Sequence, residues 1–199
     1  MTPTKNINFR GHNIPDSISY KNIGMLHDGF IGKTKVRLAK GGEAILNVFK
    51  ENRGDGIENY KIMNSYNELI GEMDMVIRKI NNYDMWGEQL DSSHVFVDKL
   101  RNYSAPNTPY YTKGLTQHKD IGTRLLQIAQ RRSDESLCNG NIKLISKGES
   151  KNWYLSVIGM RAEYPQEQQT KFKFTIHNPN QLYLPPWAKE NLSKIQGGL

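Results

Sequence analysis

A single cysteine in 199 residues, Cys138, rules out an internal disulfide framework and leaves no sulfur-based zinc site. A reducing, cytoplasmic compartment is the expectation. No run approaches the roughly 20 apolar residues that a membrane-spanning helix needs, so no membrane partner is expected. The amino terminus, MTPTKNINFRGHNIPDSISYKN, has no apolar stretch of secretory-signal type. Also lacking is any long block of like charge. The excess of 27 Lys+Arg over 20 Asp+Glu, a formal +7 with a pI near 9.4, is scattered along the chain rather than gathered into a nucleic-acid-binding arm. It leaves nucleic acid a disfavoured partner and serves a phosphorylated cofactor equally well. No internal repeat is visible, and the His/Asp pairs lack metal-ligand spacing, so no metal is expected.

What is present suits one soluble domain with a sizeable core: 37% hydrophobic residues, 24% charged, the apolar ones in short runs. Residues 1–22 are polar, carry Pro3 and Pro15 and show no period, which predicts a flexible tail. Residues 23–190 form the expected domain and 191–199 a carboxyl-terminal tail. Within Ile31–Lys50 the pattern predicts a strand, a Gly41-Gly42 break and a short amphipathic helix, ended by the turn NRGDG at 52–56. Glu58–Ile80 reads as two antiparallel strands joined at Asn64-Ser65, with Gly71 arguing against a helix. HVFVDKL, residues 94–100, alternates as a further strand. SAPNTPYYTKG lies in a long loop, 101–116, of the kind that is often functional. Thr123–Arg132 puts Leu125, Leu126, Ile128 and Ala129 on one helical face. After the turn CNGN, residues 142–145 predict a short buried strand and Ser150–Ile158 a helix closed by Gly159. KFKFTIH, residues 171–177, alternates strictly, and LYLPP is placed to pair with it until Pro185-Pro186 stops it.

Strand 94–100, loop, helix 123–132, strand 142–145 and a second helix make a β-α-β-α series. Its first strand-to-helix junction, QHKDIGTRLL, has the features of an anion site. Gly122 lets the backbone turn where a side chain would crowd a ligand, free N–H groups at the helix start point at bound phosphate, and Lys119 and Arg124 add charge.

Those same residues carry a resemblance. QHKDIGTRLLQIA, residues 117–129, is similar to the signature Gln/Arg-x-x-Gly-x-Gly/Ala of the GCN5-related N-acetyltransferase (GNAT) superfamily, with Gln117 and Gly122 on the pattern. NIKLIS, residues 141–146, matches the following strand, and NWYLSVIGM, residues 152–160, resembles the last helix, whose tyrosine acts as the acid. The resemblance implies an α/β fold with a mixed, mostly antiparallel central sheet, flanking helices and a V-shaped splay between two central strands. It also implies acetyl-CoA as co-substrate and direct transfer of its acetyl group to an amine of a small molecule or protein, by a monomer or homodimer. Two positions depart from the family. Asp120 stands where glycine is usual, and a carboxylate beside pyrophosphate costs roughly 4 kcal/mol at about 4 Å unless offset. Either Lys119, His118 and Arg124 offset it, or Asp120 turns away to cap the helix. Gly159 lies five residues after Tyr154 where four is usual, so either Trp153 or Tyr154 faces the thioester.

By the same resemblance Leu115, Gln117, His118, Lys119, Asp120, Ile121, Gly122, Thr123 and Arg124 form the pyrophosphate loop. Backbone N–H groups around Val97 polarise the thioester carbonyl. Tyr154 meets the departing sulfur. The amine needs a base, for which Glu72 is the first choice, with Asp74 on its face, Asp98 on the neighbouring strand, and His94 and His118 as alternatives. Cys138 is too isolated to be a nucleophile. The competing expectations are a GNAT-fold binding protein without turnover, including a bacterial effector delivered into a host cell on the polar tail, and an acetyltransferase acting on RNA.

Overall fold

A computed structural model describes residues 29–79, 93–148, 150–163 and 180–194. The amino-terminal tail, residues 81–92 and the alternating segment 171–177 lie outside the described residues. Four strands come first, β1 (Phe30–Arg37), β2 (Glu43–Asn52), β3 (Ile57–Met63) and β4 (Leu69–Arg78). Then follow β5 (His94–Asn102), α1 (Ile121–Glu135), β6 (Ile142–Ile145), α2 (Ser150–Trp153) with a π-helical turn Tyr154–Ile158, β7 (Arg161–Ala162), β8 (Gln181–Tyr183) and α3 (Pro186–Lys194). One sheet holds them in the order β1-β2-β3-β4-β5-β6-β8-β7, antiparallel everywhere except between β5 and β6. This is the expected mixed, mostly antiparallel arrangement, with its one parallel pair where the β-α-β series predicts it. No helix among the described residues is long and apolar enough to cross a membrane.

The amphipathic helix expected after Gly41-Gly42 is instead strand β2. It pairs with β1 from Arg37↔Glu43 to Phe30↔Phe49 and with β3 from Asn47↔Met63 to Asn52↔Glu58. The apolar residues of EAILNVFKEN fit two periods. Leu46 and Val48 alternate toward the core, while Phe49 turns to the other face and meets Phe30 edge-on at 5.5 Å. Pairing on both sides, which a local pattern does not contain, selects the strand. The LYLPP segment does form β8, but its two edges are taken by β6 and β7. Pro185-Pro186 does not only stop it: Pro186 opens α3, whose Leu192 is wholly buried. Proline suits a first helical position because the N–H it lacks would have no partner there.

Helix α1 lies across β4, β5 and β6. Its Ile121, Leu125, Leu126 and Ala129 meet Val36, Leu46, Val48, Tyr60, Ile62, Met73, Met75, Val95, Val97, Ile142 and Leu144 in one apolar core. At Gly71 the helix packs tightly on the sheet, since a Cβ there would stand 2.4 Å from Ile121 Cγ2. The C-terminal end of α1 is fastened by charge. Arg132 holds both oxygens of the buried Glu58 at 2.8 and 2.9 Å, and Lys50 adds a third bond at 2.9 Å. Burial pushes the Glu58 carboxyl up, but Arg132 and Lys50 outweigh it and hold the group at about 2, against 4.5 ordinarily. A depressed carboxylate contributes stability above its unfolded value and loses it as pH falls. Urea unfolding is therefore expected to lose roughly 3 kcal/mol between pH 4.5 and 2 through this residue, and Glu58→Gln to flatten that limb.

Candidate functional site

The loop before α1 is fixed to the end of β1. Ala39 donates its N–H to the Gln117 carbonyl at 3.0 Å, and Lys119 donates to the Arg37 carbonyl at 2.8 Å. His118 is buried between them, its N–H on the Ser104 hydroxyl and its Nδ1 without a partner among the described residues. Burial lowers its pKa, which favours the neutral ring. Leu115 packs against the core, whereas the Gln117 and Lys119 side chains face solvent.

Asp120 resolves the first departure from the family pattern in a way neither alternative anticipated. Its backbone is left-handed, φ 67 and ψ 4, the conformation that glycine adopts freely and aspartate tolerates better than most residues. Its carboxylate does not cap the helix. It accepts two bonds from Arg37, at 2.6 Å to Nε and 2.7 Å to Nη2, and this guanidinium holds its pKa below the usual carboxylate range. Sequence reasoning missed Arg37, which lies 83 residues away and is brought in by the β1 tether.

The first intrahelical donor of α1 is the Arg124 N–H, on the Asp120 carbonyl at 2.9 Å. The N–H groups of Ile121, Gly122 and Thr123 therefore have no acceptor within the helix. Gly122 is helical and absent from the residues with positive φ, so it is not there to make the turn. A Cβ on it would lie 2.9 Å from the Trp153 indole and 3.6 Å from Leu100 Cδ2; the missing side chain admits the indole. The Ile121 and Thr123 side chains are buried. Arg124 is buried too, and spends its guanidinium on the Lys35 carbonyl and Gln127, at 3.0 Å each.

Beside this helix start the parallel pair opens. Its register ends at Val97↔Leu144, and the β4 ladder passes from Met75↔Val97 to Asp74↔Lys99, leaving Asp98 as the extra residue of a β-bulge. Bulges bend a strand and end pairing. The Val95 N–H bonds the Asn141 carbonyl, and the ladder's two-residue repeat commits Val97 in the same direction. Beyond the bulge, Tyr103 donates to Ile70 on β4 at 2.9 Å. By alternation Arg101 and Lys99 also face β4, so Leu100 and Asn102 present their N–H groups to the opened side. On the opposite wall Ser146, just past β6, is buried with its hydroxyl unpartnered among the described residues, a feature no sequence signal marked.

The second departure, the extra residue before Gly159, is absorbed by the π-helical turn Tyr154–Ile158. It closes with Gly159 at φ 82 and with the Met160 N–H on the Tyr154 carbonyl at 2.9 Å. Trp153 thereby lies against Gly122, while Tyr154 is buried behind it with the rings edge-to-face at 4.9 Å. Burial alone pushes the Tyr154 phenol up to about 12.

The carboxylates separate sharply. Glu72 and Asp74 share the sheet face opposite α1 and are bound on every side. Glu72 takes bonds from Arg53 at 2.8 Å, Asn59 at 3.1 Å and Tyr103 at 2.9 Å, and Asp74 from Asn59 at 2.5 Å, with Lys99 at 3.2 Å. For Glu72 the cost of burial is outweighed by those bonds, and its pKa is lowered. His94 is buried at the far end of β5. Asp98 stands on the bulge with its side chain exposed. Cys138 is buried, and no group of metal-ligating side chains occurs among the described residues.

Structural comparison finds the chain similar to AtaT complexed with acetyl-methionyl-tRNAfMet, at 12% identity over 70% of this chain and 77% of that one, with a TM-score of 0.44. It is also similar to AtaTR bound with AcCoA, at 11% identity, 70% and 74% coverage and a TM-score of 0.41. A tyrosine-to-phenylalanine mutant of KacT is similar at 11% identity, 70% and 76% coverage and 0.41. No protein-family profile and no curated protein sequence matches the chain.

Proposed function

We propose that the chain is an acyl-CoA-dependent N-acetyltransferase that takes an amine acceptor. One observation carries this: the β5–β6 pair opens at the Asp98 bulge beside a helix start whose first N–H groups have no acceptor among the described residues. A free helix start favours a phosphate, and an opened strand edge offers N–H groups to the amide and thioester carbonyls of a narrow arm. The Asp120–Arg37 pair supports it, because the negative charge nearest the phosphate position is neutralised at 2.6 Å.

In this mechanism Ile121, Gly122 and Thr123 hold the pyrophosphate of acetyl-CoA with their N–H groups, and the Leu100 N–H rather than that of Val97 steadies the oxyanion. Acetyl-CoA supplies an activated acyl group. The amine nitrogen forms its bond to the acyl carbon as the carbon–sulfur bond breaks, and Asp98, directly or through water, takes the proton the nitrogen loses. Tyr154 does not deliver that proton to sulfur. With its phenol at about 12 and a free thiol near 8.5, full transfer is uphill by about 3.5 units, or roughly 5 kcal/mol. Tyr154 positions Trp153, and solvent protonates the thiolate.

Calorimetric titration of the full chain with acetyl-CoA is the first test, and absence of binding at millimolar concentration would sink the proposal. Trp153 provides a local reporter. Acetyl-CoA is expected to shift the intrinsic fluorescence, and most of that shift to vanish in Trp153→Phe, because the indole lies against Gly122 at the helix start.

A further inference from the structure

On the sheet face away from α1, three cations converge on two carboxylates. Arg53 reaches Glu72 at 2.8 Å and Asp74 at 3.3 Å, Lys99 reaches Asp74 at 3.2 Å, and Arg101 reaches Glu72 at 3.5 Å. Asn59 and the Tyr103 hydroxyl add further donors to the same four oxygens. Two guanidiniums and an ammonium carry far more N–H groups than two carboxylates can accept, and the cluster keeps a net positive charge. The acids are sunk and the cations stand out: Asp74 is 4% exposed at its side chain, Arg53 38% and Lys99 47%. Tyr110 packs over the Arg101 guanidinium at 5.0 Å and edge-on to Tyr103 at 6.4 Å, closing one rim.

The network is also incomplete by itself. Asn59 is wholly buried and gives its amide N–H groups to Glu72 and Asp74, yet its Oδ1 has no partner among the described residues. That oxygen is an acceptor, so it calls for a hydrogen-bond donor rather than an anion, and the case for an anion site rests on the three cations. Position adds the last element. Lys99 follows Asp98 directly, and Arg101 stands about 7 Å further along the same strand face.

We propose that Arg53, Lys99 and Arg101 form a site for the carboxylate or phosphate of a small acceptor, holding it so that the acceptor's amine lies at Asp98. This rests on the acyltransferase reading for the amine's role, but the anion site stands on its own geometry. Glu72 and Asp74 then serve to aim the cations. Fixing long side chains before the ligand arrives removes part of the entropy that binding would otherwise cost. Glu72 is thus a positioning residue rather than the base.

The test uses the full chain with three probes, phosphoethanolamine, β-alanine and ethanolamine, titrated calorimetrically without acetyl-CoA and then compared by kcat/KM with it. Both anionic amines are expected to bind at least about tenfold more tightly than ethanolamine, as a charge-assisted contact does. The tighter of the two assigns phosphate or carboxylate. Lys99→Met and Arg101→Met are each expected to lose at least about fivefold of that preference. Lys99 is nearly half exposed, so its replacement keeps the fold; thermal unfolding verifies this for both variants. Equal affinity for the three amines, or a preference unchanged in both variants, overturns the proposal and leaves a structural network. If anionic amines bind but acetyl-CoA does not, the acyltransferase reading falls and the anion site stands. If acetyl-CoA binds and ethanolamine is acetylated as well as phosphoethanolamine, the reverse holds.

Discussion

Gly71→Val is expected to be among the most damaging single substitutions, costing about 3 kcal/mol or more and abolishing acetyl-CoA binding with it. A Cβ at this position meets Ile121 Cγ2 at 2.4 Å, Leu125 Cδ1 at 3.5 Å and the Arg101 carbonyl at 3.5 Å. Ile121 and Leu125 are both wholly buried, so neither side chain has space to retreat into. Valine adds two more carbons, which only a shift of α1 off β4 would accommodate. That shift moves the first turn of α1, where the free N–H groups stand, and so joins a packing defect to a functional one. Gly71→Ala is expected to cost less, about 1–2 kcal/mol. Combining it with Ile121→Ala, which removes the opposing Cγ2, should cost less than the sum of the two single changes. Denaturant unfolding of the four proteins reads the coupling, and strict additivity would show that the two residues do not confine each other.

Much of the frame that carries this contact was legible in the residues. The two strands around Asn64-Ser65, the alternating HVFVDKL, the helix after Gly122 and the short strand 142–145 each have one period and clear punctuation, and all four form. By its local pattern Gly71 disfavours helix; in the structure it lets α1 approach, which depends on a partner some fifty residues away that no local pattern contains. The same limit explains β2, where two periods coexist and the neighbouring strands choose. It explains Arg37 as well, since a counter-charge 83 residues from Asp120 becomes a neighbour only once β1 is tied to the loop. Asp120 takes a left-handed backbone that glycine adopts freely, and adds a charge that Arg37 then neutralises.

The candidate base shows how position in the sheet separates residues that the sequence leaves equal. Glu72, Asp74 and Asp98 all lie on strands, and sequence reasoning ranked Glu72 first. In the structure Glu72 and Asp74 are occupied by Arg53, Asn59 and neighbouring donors, and for Glu72 those bonds stabilise the charged form, which makes it a weak acceptor of protons. Asp98 is set apart by the bulge, because the extra residue frees it from the β4 ladder at the point where β5 and β6 separate.

Asp98→Asn is accordingly expected to lower kcat by roughly 10²–10⁴, the range that general base catalysis commonly contributes. Acetyl-CoA affinity, set by α1 and the β5 edge, should move little, so the loss appears in kcat rather than in cofactor binding. A base also has a pH signature: the variant should regain rate steeply as pH approaches the amine's own pKa, where deprotonated acceptor becomes abundant without help. Glu72→Gln gives the contrasting result. It leaves Arg53 and Arg101 short of a buried counter-charge and should cost roughly 1–3 kcal/mol of stability, while its pH–rate profile keeps the wild-type shape. If Asp98→Asn stays within about threefold of the wild type across the profile, the proton leaves by another route and the bulge serves only to open the sheet.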